Sequence, residues 1–79
     1  MPKNIPSLKP RQLIRLLKQA GVLFHREGKG DHSLYFRYVE GKKRVVPIDM
    51  GIREFSPPYV LRILRQFGFT DEDIDEILK

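Results

Sequence analysis

The sequence predicts an α+β domain in the order α-β-β-β-α-α, with helices packed on one face of a three-stranded antiparallel sheet. Three observations predict it. Apolar residues recur at three- and four-residue spacing near both ends of the chain. Between them lie three short runs rich in aromatic and β-branched residues, separated by glycine-bearing turns. The chain has 79 residues and no cysteine, so one small core without disulfides must suffice, burying about 60% of the unfolded surface. The expected organisation is a single domain over residues 1–79.

The first helix follows Pro6-Ser7-Leu8-Lys9-Pro10, with Ser7 as the expected N-cap and Pro10 in the first turn, where the missing N–H costs nothing. Leu13, Ile14, Leu16, Leu17 and Ala20 supply its apolar face, and Gly21 stands where a left-handed residue closes a helix. Val22–Arg26 is too short for a helix and is expected as the first strand. In Ser33–Tyr38 the side chains alternate: Leu34, Phe36 and Tyr38 share one face, and Ser33, Tyr35 and Arg37 share the other. Glu40-Gly41-Lys42 signals a turn, and Lys43–Ile48 completes a meander. Pro47 cannot donate to a ladder, so this third strand belongs at an edge or ends there. Asp49 to Phe55 is a connector. Ser56-Pro57 then caps a second helix buried through Val60, Ile63, Leu64 and Phe67 and ended by Gly68. Thr70-Asp71-Glu72-Asp73 opens a third, with acids where the helix dipole favours them, and Ile74, Ile77 and Leu78 form its apolar face.

Charge is unevenly spread. Residues 1–69 hold fourteen Lys/Arg against five Asp/Glu, a balance of +9, whereas residues 70–79 hold one Lys against five acids, a balance of −4. A basic body points to an anionic partner, most simply a nucleic acid. Arg11, Arg15 and Lys18 line one edge of the first helix at i, i+4 and i+7. No run of apolar residues approaches the length of a signal peptide or membrane span, so no membrane association and a cytoplasmic location are expected.

The chemistry-bearing stretch is Glu27-Gly28-Lys29-Gly30-Asp31-His32-Ser33, between the first two strands. Metal ligands would need clustered His, Asp, Glu or Cys; the only dense acid cluster, Asp71 to Glu76, has helix-terminal spacing and no nearby histidine. No nucleophile triad or phosphate loop can be placed, so neither a metal nor a small-molecule cofactor is expected. RNA can be cut without metal when a base takes the proton of a 2′-hydroxyl, and imidazole is suited to that because it titrates near neutrality. Glycines let backbone approach an anion, and Lys29 adds positive charge.

The ordered set of residues resembles the HicA family of RNA-cleaving toxins. The match includes Ser7-Leu8-Lys9 before a basic amphipathic helix with Leu13 and Ile14, then Ala20-Gly21. It continues through Arg26, Gly30-Asp31-His32 in place of the family's Gly-Ser-His, Gly41, and Val46-Pro47. Val60–Gln66 before Gly68 and Thr70 completes it, so that nearly all of residues 5–79 is covered. The resemblance implies a double-stranded-RNA-binding-domain-like fold. It further implies a metal-independent endoribonuclease acting on mRNA, and neutralisation by a HicB-like antitoxin. It assigns His32 as the catalytic acid/base. The expected RNA contacts are Arg11, Arg15, Lys18, Arg26, Lys29, Gly30 and Lys43. Two departures stand out. Asp31 replaces a small residue before the histidine, and Ile48-Asp49-Met50-Gly51 lacks a histidine often found there. The second proton donor must then be sought among Lys29, Lys43, Tyr35 and water. Two other readings are a non-catalytic RNA-binding module on the same fold and a helix-turn-helix over residues 60–78. The acids of the last helix would repel DNA phosphates in that second reading.

Overall fold

The computed structural model describes residues 4–79. Its elements are α1 (Pro10–Gln19), β1 (Leu23–Glu27), β2 (His32–Val39), β3 (Lys42–Asp49), α2 (Pro57–Gln66) and α3 (Asp71–Leu78). The strands form one antiparallel sheet in the order β1-β2-β3. The expected element order and sheet are therefore both present, and Pro47 lies on an edge strand.

Both α1 and α2 end by the same local device. Gly21 and Gly68 take φ of +92° and +81°. The next residue then turns its N–H back into the helix, Val22 to the Leu17 carbonyl (2.9 Å) and Phe69 to that of Leu64 (3.3 Å). Val22 and Phe69 are thereby driven into the core. The start of α1 differs from expectation: Lys9, not Ser7, is the N-cap. Pro10 already occupies the first helical position, and the Lys9 N–H donates to Gln12 Oε1 at 2.8 Å. Thr70 caps α3 reciprocally with Asp73, at 3.1 and 3.0 Å.

The core lies between the sheet and the helices. Leu13, Leu17, Ile48, Phe55, Val60, Leu64, Phe67 and Ile74 are fully buried. Of β2's two faces, the inward one is the more polar: Ser33 and Tyr35 are each 7% exposed. Arg37 is half-buried, donating from Nη1 to the Phe67 carbonyl (2.9 Å) and lying over the Phe69 ring at 4.1 Å. Arg44, beside Arg37 on β3, donates to the Gln66 carbonyl at 3.4 Å. These two cations meet the carbonyl end of α2, where the helix dipole favours positive charge, and tie it to the sheet. Leu34, Phe36 and Tyr38 consequently point to the other face.

The connector is less loose than its sequence implies. Leu8 and Phe55 exchange backbone hydrogen bonds (3.1 and 2.7 Å), and both side chains are buried. Segments before and after the sheet in sequence are thus clamped together.

Candidate functional site

The β1–β2 loop is built from its backbone outward. Glu27 and Ser33 are the last paired residues, and Ser33 Oγ donates to Glu27 Oε1 at 3.0 Å. Beyond them, the Gly28 N–H donates to the His32 carbonyl (2.8 Å) and the His32 N–H donates to that of Lys29 (3.1 Å). Gly30 supplies the one left-handed residue of the turn, φ +58°. A Cβ on Gly28 would stand only 3.3 Å from the His32 carbonyl oxygen. Glycine at that position lets the loop fold back onto His32.

His32 is exposed at the first position of β2. Its Nδ1 lies 3.3 Å from the Lys29 carbonyl oxygen. A carbonyl only accepts, so this contact is satisfied when Nδ1 carries the hydrogen, and Nε2 then holds the lone pair. The same turn that displays the imidazole also orients it with the base nitrogen directed away from the loop backbone.

Register decides what surrounds His32. The two-residue turn at Glu40-Gly41, with φ of 51° and 78°, pairs Val39 with Lys42 and so places Asp49 opposite His32. Directly opposed Cβ atoms stand about 5 Å apart. Asp49 Oδ1 accepts the Gly51 N–H at 2.8 Å, which fixes its carboxylate at this end of the sheet. Asp49 was not singled out as a site residue from sequence. Counting the ladder outward from the Glu40-Gly41 turn would have found it.

Asp31 is held away from the imidazole's hydrogen bond. Its carbonyl accepts the Met50 N–H at 2.8 Å, and its carboxyl packs against Gly51, where a Cβ would collide with it. The Asp31 carboxyl is therefore accommodated by a glycine across the sheet end.

Among the cations expected at RNA, Lys29 belongs to the His32 turn. Arg26 opposes Leu34 and so stands diagonal to His32 on the same face, about 7–8 Å away and within reach of a long side chain. Its Nη1 donates to the Glu27 carbonyl at 3.2 Å. Lys43 lies elsewhere. It opposes Tyr38, six positions along β3 from Asp49, a separation of about 20 Å. Its Nζ sits 3.4 Å from His25 Nδ1 and 4.5 Å from the centre of the Phe36 ring. Arg11, Arg15 and Lys18 are exposed on α1, in the helical layer.

The second-donor candidates are sorted by the same geometry. Tyr35 is buried on the inner face. Burial first, and the charge of Glu27 second, push its phenol above the ordinary value, and the sheet itself separates it from His32 on the opposite face. Lys43 is too distant. Lys29 and water are left.

Among the described residues, no three His, Asp or Glu side chains gather as metal ligands would, and no helix is long and apolar enough to cross a membrane. Compared with known protein families, curated proteins and solved structures, the chain shows no match, so the site stands on its own residues.

Proposed function

We propose that this protein is a metal-independent endoribonuclease of HicA-like type, acting on mRNA in the cytoplasm and neutralised by a HicB-like antitoxin. The observation that carries the reading is the presentation of His32. An exposed imidazole at the end of a strand, with Nδ1 engaged by the Lys29 carbonyl, offers Nε2 as a base.

In this mechanism Nε2 removes the proton of a ribose 2′-hydroxyl. The freed oxygen attacks the adjacent phosphorus, the bond from phosphorus to the 5′-oxygen breaks, and the leaving oxygen takes a proton from Lys29 or water. The products are a 2′,3′-cyclic phosphate and a 5′-hydroxyl. Lys29 and Arg26 stabilise the charge that grows on the phosphoryl oxygens. Asp49, opposite His32 on β3, stabilises the imidazolium formed after proton transfer. An antitoxin that covers His32 and the glycine turn would block this chemistry.

Induced expression of wild type against His32→Ala tests the reading, with growth followed and total RNA examined for breakage. The expected result is RNA fragmentation and growth arrest with wild type, and neither with the folded variant. Equal toxicity of His32→Ala removes His32 from the chemistry. Salt-sensitive RNA binding without cleavage by wild type leaves the same fold as a binding module only.

A further inference from the structure

The outer face of the sheet is an aromatic and cationic surface that the core does not use. It carries Leu23, Leu34, Phe36, Tyr38, Val45 and Pro47, none of which belongs to the buried cluster between sheet and helices. Tyr38 is 61% exposed and Leu23 58%. The rings are arranged rather than scattered. His25 and Tyr38 meet Phe36 edge-on, with ring centres at 5.6 and 5.9 Å, and the Lys43 ammonium lies 4.5 Å over the Phe36 ring.

The β1 edge adds a second device. The β1–β2 register shifts between Phe24 and Arg26, leaving His25 as the extra residue of a bulge. Strict alternation would send His25 and Arg26 to opposite faces. Here His25 packs on Phe36 and Arg26 opposes Leu34, so both come to the outer face. Two neighbouring nitrogen-bearing side chains thus join Lys43 on the same surface as the aromatic rings. Asp49 is the acid that the ladder places there, at the His32 end.

We propose that this face is a platform for single-stranded RNA, with a base stacked on Tyr38 and phosphates passing Lys43, which lies over the Phe36 ring, and Arg26 toward His32. The proposal rests on the reading of the protein as RNA-directed and specifies the substrate class of that site. Cations interleaved with rings complement a chain that is anionic along its backbone and flat and apolar at its bases. A duplex hides its base faces within the stack and offers phosphates and 2′-hydroxyls instead, so it has no use for rings in the middle of a sheet. The proposed chemistry agrees, because a 2′-oxygen attacks in line only in a nucleotide free to leave A-form geometry. The platform also has the right direction: Tyr38, Phe36, Leu34 and His32 follow one another along one face of β2. A strand laid on the rings leads to the imidazole.

The test uses the full chain carrying His32→Ala, so that RNA is bound and not cut. Fluorescence anisotropy measures binding of a short labelled single-stranded oligoribonucleotide and of its perfect duplex. Tyr38→Ala and Lys43→Gln are added separately, with circular dichroism melts confirming that each is folded. The expected result is tighter binding of the single strand than of the duplex. Tyr38→Ala should weaken it roughly five- to one-hundredfold, the loss of one stacked base, and Lys43→Gln should lower it with a shallower salt dependence. Preference for the duplex, or unchanged single-strand affinity in both variants, overturns the platform. So does a monomer–dimer equilibrium that Tyr38→Ala shifts without touching RNA affinity, since the face is then a protein interface. The two readings fail separately. Cleavage by wild type that Tyr38→Ala leaves intact removes the platform alone. Toxicity that survives His32→Ala, alongside Tyr38-dependent binding, removes only the catalytic role.

Discussion

Gly51 sets the position of Asp31 by lacking a Cβ, since an atom there would meet the Asp31 carboxyl and its Cβ. Gly51→Ala must push Asp31 aside, and with it the segment that ends at His32. The expected cost is about 1–3 kcal/mol, as for other overpacked sites. Adding Asp31→Gly removes the three atoms nearest the new methyl and should recover most of the loss. A double-mutant cycle followed by denaturant melts checks this, and additive effects would show that the two positions are not coupled. Tyr35 gives a second residue-level expectation. Its phenol is raised by burial and then by Glu27, so the folded state holds the proton more tightly than the unfolded chain. Its contribution is therefore fully present below the unfolded value of about 10. It is lost as pH climbs from there through the folded value. Melting temperature should fall over that alkaline range in wild type, and less so in Tyr35→Phe.

At the scale of elements, the β2–β3 hairpin carries the site's register in its turn. Glu40 occupies φ 51° and Gly41 φ 78°, and a side chain other than Asn or Asp is strained in that region. Glu40→Asn should stabilise the protein by up to about 1 kcal/mol without moving Asp49 from its place opposite His32. A thermal melt measures the gain, and an unchanged melting temperature would mean that the turn relaxes at no cost. All six elements were legible in the sequence, because caps, glycine stops and periodicity are local signals. What was not legible depended on tertiary placement. Alternation in β2 was clear, but which face turned inward was not. Arg37 and Ser33 look like solvent residues until the end of α2 and Glu27 are in place to accept their hydrogens. Phe55 lies in a connector without periodicity, so its burial against Leu8 had no local signal. Of the site, His32 and Lys29 were visible as a composition of one turn. Asp49 required the register, as did the distance of Lys43 from His32, because separation along the sheet is invisible in the chain.

The whole molecule is a plate, 33 × 32 × 18 Å, with helices on one broad side and the aromatic sheet face on the other. The cations expected at RNA are divided between those two sides. Arg11, Arg15 and Lys18 are exposed in the helical layer, whereas Arg26 and Lys43 lie on the sheet face, and the Lys29 turn stands at the rim. On the proposed reading, an RNA long enough to leave the sheet face past His32 would bend around so thin an edge and meet α1. Each phosphate so neutralised contributes about 0.7 to the slope of log affinity against log salt for a single strand. Replacing Arg11, Arg15 and Lys18 together by Gln in the His32→Ala background should then flatten that slope by about 2 for a long single strand. An oligonucleotide that covers only the sheet should show no change. Anisotropy titrations at several salt concentrations, with both lengths, read the difference directly. A slope lowered equally for both lengths would place α1 within the primary site. A slope lowered for neither would confine RNA to the sheet and leave the α1 cations free for a protein partner.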